Sequence, residues 1–207
     1  MKIYDISVVI SPNMTVYKDY PHKKPVFTNV SNFETGSAYE TDIKMNVHSG
    51  THVDFNLHML KDGNTSSNAI LSNYITDAKV FDLTHLKDKI EANDLKELNI
   101  EKDDFVLFKT RNSNVEHFDF EFVYVTESAA KYLAEKQIKG VGVDALGIER
   151  DQPGHPTHKT LMNHNIVILE GLRLKDIVPQ SYILIALPLK FEGLDGSPVR
   201  AVLLETV

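Results

Sequence analysis

The distribution of apolar residues along the chain predicts many short strands and few helices. Short apolar runs bounded by turn-forming residues are typical of buried strands. Such runs occupy residues 3–10, 79–83, 105–110, 141–143, 166–169, 182–187 and 199–204. In segment 41–48, Ile43, Met45 and Val47 alternate with polar residues, which is the pattern of a half-buried strand.

Three other segments, 91–98, 126–135 and 158–165, have helical patterns. The second is the clearest, because Thr126 can cap the first amide groups of a helix. The residues expected on its buried face are Ala129, Ala130, Leu133 and Ala134. Many strands interleaved with a few helices predict an α/β or α+β domain with a mostly buried sheet.

Length and composition narrow the class of protein. A chain of 207 residues, 42% hydrophobic and 25% charged, fits one folded domain over residues 1–207. The 22 basic and 29 acidic residues give a net charge of −7, which disfavours binding to nucleic acid. The chain has no cysteine, which excludes disulfides, thiolate metal sites and a cysteine nucleophile. No apolar stretch is long enough to cross a membrane, so we expect a cytoplasmic soluble protein with neither nucleic-acid nor membrane partners.

A cluster of histidines between positions 48 and 58 is the strongest chemical signal. Side chains alternate along an extended chain, so every second residue of this segment points to one face. These residues are His48, Gly50, His52 and Asp54. Two imidazoles and a carboxylate beside a glycine form a pocket for a cation, and nitrogen and oxygen ligands suit Zn²⁺ or Mn²⁺. The spacing of His48 and His52 also occurs on metalloprotease helices, but Gly50 disfavours a helix here.

The motif HSGTHVDFNLH at 48–58 resembles the H-x-G-T-H-x-D-x-P-x-H signature of the cyclase family of metal-dependent hydrolases. Segments 5–14, 126–130, 140–144 and 195–201 are similar to further parts of that family. The resemblance implies one domain with a central mixed, barrel-like sheet and flanking helices. It also implies a homodimer or homotetramer, in which the partner's segment 17–27 completes the pocket.

The same resemblance implies roles for individual residues. The first metal ligands would be His48, His52 and Asp54. A second metal would be bound by His158 and Glu170, with Asp54 bridging the two ions, so that the site is binuclear. His58 matches the acid–base residue. The offset to the pair Leu161–Met162 selects His158 as the ligand, and His155 stays open as an alternative.

Two positions of the motif depart from the family. Asn56 stands where a proline is common, and Phe55 stands where a small residue is common and is expected to narrow the pocket. Asn56 can shape the turn before His58 through side-chain hydrogen bonds. Elsewhere, Arg111 and Arg200 are candidates for orienting a substrate carboxylate.

These residues predict a hydrolase of a non-peptide carbon–nitrogen bond. A bound metal lowers the pKa of water from 15.7 to roughly 7, so metal-bound hydroxide is the expected nucleophile and His58 the group that moves the proton. The resemblance makes N-formylkynurenine the leading small-molecule substrate, with kynurenine and formate as products. Two alternatives stay open: hydrolysis of another amide or of a cyclic amide such as an isatin-like lactam, and a non-catalytic protein that binds a metal or a metabolite.

Overall fold

The computed structural model describes residues 1–205, in which short strands alternate with three α-helices. The strands are β1 (Lys2–Asp5), β2 (Val26–Ser31), β3 (Glu40–Lys44), β4 (His52–Asp54), β5 (Ile75–Asp82), β6 (Lys89–Ile90), β7 (Phe105–Lys109), β8 (Tyr124–Val125), β9 (Gly140–Val143), β10 (Val167–Glu170), β11 (Ser181–Ile185), β12 (Gly196–Pro198) and β13 (Val202–Glu205). The helices are α1 (Ala92–Leu95), α2 (Glu127–Glu135) and α3 (Pro156–Asn163).

Nine of these strands, all within residues 1–205, form one mixed sheet in the order β1-β13-β11-β5-β7-β9-β10-β4-β12. The central strands β5, β7, β9 and β10 are parallel, and the outer strands join them in antiparallel pairs. The sheet curls into a half-barrel. The predicted mixed, barrel-like sheet with flanking helices in one domain is therefore confirmed.

Each face of the sheet carries its own hydrophobic core, as alternation along β7 shows. Val106 and Phe108 pack with the residues of α2 and α3 on one face of the sheet. Phe105 and Leu107 lie on the opposite face, where side chains of β10, β11 and β13 form a second core. Because the central strands are buried on both faces, they are apolar runs, and this explains why the sequence identified them.

Helix α2 follows the predicted pattern. The Thr126 side chain accepts a hydrogen bond from the Ala129 amide at 3.3 Å and caps the helix. The four residues that were expected to face inward, Ala129, Ala130, Leu133 and Ala134, are all buried. No helix among residues 1–205 is long and apolar enough to span a membrane.

Segment 41–48 differs from the prediction. Strand β3 ends at Lys44, before the histidine motif, and all of its residues are exposed. Within residues 1–205 the strand pairs only with β2, in a separate two-stranded hairpin, and no other described element covers the residues of β3. The alternation of Ile43 with polar residues therefore does not indicate burial here.

Candidate active site

Strand β4 places two side chains of the motif in the interior. His52 and Asp54 lie two residues apart on β4, so they point to the same side of the sheet. On the neighbouring strand β10, Glu170 is the residue directly opposite His52. His52 Nε2 lies 3.3 Å from Glu170 Oε2 and 3.4 Å from Asp54 Oδ1. The antiparallel register of two short strands thus gathers three residues that are distant in sequence.

Helix α3 brings a fourth side chain to the same point. His158 Nε2 lies 3.5 Å from Asp54 Oδ2 and 3.5 Å from Glu170 Oε1. Its other ring nitrogen, Nδ1, donates to Glu149 Oε1 at 2.6 Å. The alternative residue His155 contacts Glu149 Oε1 at 3.1 Å through Nδ1, and its Nε2 lies 3.8 Å from Asp151. Its ligand atom lies within 4.8 Å of those of Glu149 and His158, so His155 stays an alternative.

His48 also reaches Asp54, although by another route than expected. Its Nδ1 lies 2.8 Å from Asp54 Oδ1. The chain between His48 and His52 is not extended, because Gly50 has φ +74°, a conformation that favours glycine. A turn through Gly50, rather than strand alternation, folds His48 back over the end of β4.

His58 lies at the mouth of the pocket, on the turn Asn56–His58. The Asn56 side chain donates to the Met162 carbonyl and to Asn165 Oδ1, both at 3.1 Å, and ties this turn to the end of α3. The expected shaping of the turn by Asn56 is therefore present. The ring of His58 lies 4.0 Å from that of His48, measured between centroids.

Asp195 joins these two imidazoles from the loop before β12. Its Oδ2 lies 2.9 Å from His48 Nε2 and 3.4 Å from His58 Nδ1. A carboxylate in this place favours the tautomer of His58 that carries its proton on Nδ1. The second nitrogen of His58, Nε2, is then the one that can accept a proton.

The ionisable groups of the site perturb one another. Burial would lower the pKa of His52, but the neighbouring carboxylates Asp54 and Glu170 outweigh it and raise the pKa to about 10. The pKa of His158 is likewise raised, against its burial, by Asp54, Glu149 and Glu170. Burial would raise the pKa of Glu170, but the adjoining imidazoles lower it to about 2.

His58 is the exception among these histidines. Its pKa lies below the ordinary value, chiefly because it is buried, and the nearby carboxylates of Asp54 and Glu170 only partly oppose this effect. At neutral pH its ring is therefore neutral and can accept a proton. The rings of His52 and His158 are protonated at this pH, because the neighbouring carboxylates stabilise their positive charge.

The donor set fits a metal ion. His52 Nε2 and Asp54 Oδ2 are buried and have no hydrogen-bond partner within residues 1–205, and both face the centre of the cluster. Since buried polar atoms are nearly always paired, such orphans indicate a missing partner. His52 Nδ1 donates to the Gly50 carbonyl at 2.9 Å, an arrangement that leaves Nε2 as the ligand atom. The groups His52–Asp54–Glu170 and His48–Asp54–His58 each bring their ligand atoms within 4.8 Å of one another.

Three other predicted site residues lie elsewhere. Arg111 pairs with Asp119 at 2.8 Å, and Arg200 pairs with Asp5 at 2.7 Å on the surface. Neither arginine lines the pocket, so the prediction that they orient a substrate there is not supported by their positions. Phe55 does not narrow the pocket either, because it is buried beside Tyr74 in the second core, with side chains of β11 and β13.

The pocket above the cluster has a volume of about 100 Å³ and is also lined by residues to which the sequence assigned no individual role. They are Tyr17, Lys23, Met59, Glu149 and Asp151. Tyr17 and Lys23 come from the segment 17–27 that was expected to enter a partner's pocket, and they line the pocket of their own chain. Glu149 belongs to a loop rich in glycine and charged residues, which was the only signal that could have indicated it.

Comparison with known proteins agrees with this geometry. The family model described as "Putative cyclase" matches residues 4–150. The chain belongs to the cyclase family. Among curated members, the kynurenine formamidase of Salinibacter ruber is 32% identical over 206 residues, covering 98% of this chain and 97% of that protein.

Solved structures share the fold over nearly the whole chain. One, described as a potential metal-dependent hydrolase with cyclase activity, is 48% identical with a TM-score of 0.92, and the match covers 98% of this chain and 96% of that one. A predicted metal-dependent hydrolase from Bacillus stearothermophilus is 49% identical with a TM-score of 0.90, covering 98% and 97%. Isatin hydrolase A from Labrenzia aggregata, at 23% identity and a TM-score of 0.86 over 98% and 93%, shares the fold. The predicted class, a metal-dependent amide hydrolase of the cyclase family, is confirmed.

Proposed function

We propose that this cyclase-family protein hydrolyses N-formylkynurenine to kynurenine and formate, and so acts in tryptophan catabolism. The metal-dependent part of the proposal rests on one observation: two buried atoms, His52 Nε2 and Asp54 Oδ2, have no hydrogen-bond partner within residues 1–205. Glu170 and His158 lie next to these atoms and complete the set of ligands. The likeness to kynurenine formamidase from Salinibacter ruber over 98% of this chain supports the choice of a formamide.

In this proposal the metal ligands are His48, His52, Asp54, His158 and Glu170. Asp54 has one oxygen beside His48 and His52 and the other beside His158, which supports the proposal that its carboxylate would be shared by two ions. The ligand atoms are nitrogen and oxygen, and we propose Zn²⁺ as the ion in a binuclear site, with Mn²⁺ as the alternative. A metal bound there would make water nucleophilic at neutral pH and polarise the substrate carbonyl.

The residues of the chain then account for proton transfer. The neutral ring of His58 accepts the proton of the attacking water at Nε2, because Asp195 occupies the side of Nδ1. The same nitrogen returns the proton to the departing aniline nitrogen, and formate leaves. His58 has a side chain 26% exposed at the pocket mouth, so a substrate can reach it.

The deciding experiment is hydrolysis of N-formylkynurenine by the purified protein after chelation and again after addition of Zn²⁺ or Mn²⁺. We expect turnover that the metal restores, well above a blank that contains metal alone. Absence of turnover with either ion would overturn the proposed substrate. Parallel turnover of isatin alone would assign the site to lactam hydrolysis, the alternative consistent with the fold shared with isatin hydrolase.

We also propose a homodimer or homotetramer, which would be located in the cytoplasm. The hairpin β2–β3 exposes Val26, Phe27, Val30 and Ile43, each at least 40% accessible, and exposed apolar patches mark protein interfaces. Light scattering at several concentrations would test this: a monomer at all of them would contradict it. The small-molecule amide is the partner proposed for the pocket. The net charge of −7 gives no support for a nucleic-acid partner, and we propose no membrane partner.

A further inference from the structure

Lys23 is the one lysine or arginine among the pocket-lining residues, all of which lie in the described part of the chain. It is partly buried, and no carboxylate oxygen within residues 1–205 lies inside 4.0 Å of its ammonium group. Its neighbours in sequence and space differ in this respect. Lys18 pairs with Asp151 at 2.5 Å, and Lys24 pairs with Asp19 at 3.2 Å. Lys23 therefore presents an uncompensated positive charge to the pocket.

The position of Lys23 is fixed by its surroundings. Its amide donates to the Tyr20 carbonyl at 3.0 Å, and its own carbonyl accepts from Ser49 Oγ at 2.9 Å, directly beside His48. The ammonium group lies 5.4 Å from the centroid of the Tyr17 ring, within the range of a cation–π contact. The backbone of the lysine is thus tied to the metal-ligand loop, while its head group rests on the aromatic wall.

The other charged residues of the pocket indicate which ligand Lys23 could bind. The acidic residues that line it, Glu149, Asp151 and Glu170, would repel an anionic substrate. Each of them is already engaged, Glu149 and Glu170 by His158 and Asp151 by Lys18. Among the lysine and arginine side chains, a substrate carboxylate therefore finds one without a carboxylate partner in the described pocket, Lys23.

We propose that Lys23 is the subsite for a carboxylate on the amine portion of the substrate, so that the pocket selects amides of amino-acid type over neutral amides. The inference rests on the proposed function and deepens it. If the formamide carbonyl binds beside His48 and His58, the α-carboxylate is the anionic group of N-formylkynurenine that remains for Lys23, which lines the same pocket. Arg111 and Arg200 cannot take this part, because both are paired outside the pocket.

The test compares two formamides on the metal-loaded protein, N-formylkynurenine and 2′-formamidoacetophenone, which lacks the amino-acid group. In Lys23→Met the stem is kept and the charge is lost. We expect KM for N-formylkynurenine to rise about tenfold with kcat within about twofold, and KM for the neutral formamide to stay unchanged. Lys23→Arg should restore most of the affinity. Lys24→Met, the matched control outside the pocket, should behave as wild type. A rise in KM that is equal for both formamides, or no rise, would overturn the inference.

A binding measurement separates this inference from the proposed function. Calorimetric titration with kynurenine and with 2′-aminoacetophenone needs no turnover. Selective weakening of kynurenine binding by about tenfold in Lys23→Met would support the subsite even if wild type hydrolysed neither formamide, in which case only the proposed reaction would fall. Unchanged kynurenine binding in Lys23→Met would refute the subsite whatever the turnover.

Discussion

Glu149 fixes the orientation of His158, since its Oε1 accepts the Nδ1 hydrogen bond at 2.6 Å and thereby directs Nε2 toward Asp54 and Glu170. The same carboxylate accepts a hydrogen bond from the Thr157 amide at 3.0 Å, at the start of α3. Such outer carboxylates fix the tautomer of a metal-binding histidine and increase its basicity.

Glu149→Gln is therefore expected to weaken metal binding about 10- to 100-fold while the fold is retained. Competition with a chromophoric chelator measures the affinity, and circular dichroism checks the fold. Asp151→Asn removes a charge from the same loop and serves as the control, since Asp151 is half exposed and pairs with Lys18. Equal affinities for Glu149→Gln and wild type would show that Glu149 does not support a ligand.

Asp54→Ala should abolish metal binding at both proposed positions. Asp54 is the residue shared by the groups around His48 and around Glu170, so its loss removes a ligand from each. Metal content per chain after dialysis, measured by mass spectrometry, is expected to fall close to zero. Wild-type metal content in the folded variant would contradict the bridging role.

His58→Ala should keep the metal and lose turnover. General acid–base catalysis by a histidine contributes about 10²- to 10⁴-fold, so kcat is expected to fall within that range. The exposed His85 offers a control, since His85→Ala removes an imidazole far from the pocket-lining residues. Full activity in His58→Ala would assign proton transfer to another group.

The metal-free protein should be most stable in mildly acidic solution. The pKa of His52 is raised to about 10, so the stabilisation from its protonated ring is complete below about pH 6.5, the pKa of an unfolded histidine, and is lost as pH rises toward 10. The pKa of Glu170 is lowered to about 2, so its contribution is present above about pH 4.3 and is lost as pH falls toward 2.

Thermal melts of the chelated protein across this range should therefore show the highest Tm between about pH 4.3 and 6.5. In the metal-loaded protein the decline above pH 6.5 should disappear, because ligands that bind metal have already released their protons. A chelated protein whose Tm rises steadily from pH 6.5 to 9 would contradict the assigned protonation of His52.

The spacing of the motif predicted that His52 and Asp54 share one face of a strand, and they do lie together on β4. His158 and Glu170 were expected only from the resemblance to the family, and the structure brings both of them close to Asp54 or His52. The reason given for His48 was wrong: the positive φ of Gly50 makes a turn, and a backbone conformation of one residue does not follow from apolar periodicity. The burial of β3 was also predicted wrongly. Alternation of apolar and polar residues predicts a strand, but it does not show whether another layer of the protein covers the apolar face.

Glu149 and Asp195 were not predicted as site residues, and Lys23 was covered only by segment 17–27, which was expected to complete a partner's pocket. Each lies outside regular strands and α-helices and reaches the pocket from a separate part of the chain. Loops have no periodicity that reveals their direction, so these contacts follow only from the packed structure. The central strands were predictable because burial on both faces makes them continuous apolar runs. Helix α2 was predictable because one buried stripe places apolar residues at helical spacing.

Strand β4 is held between β10 and β12, and both of these neighbours follow it late in the chain. During synthesis the histidine motif therefore leaves the ribosome long before the strands that fix it exist. Because β10 supplies Glu170 and pairs with β4, the cluster around Asp54 is complete only after this late part of the chain has been synthesised.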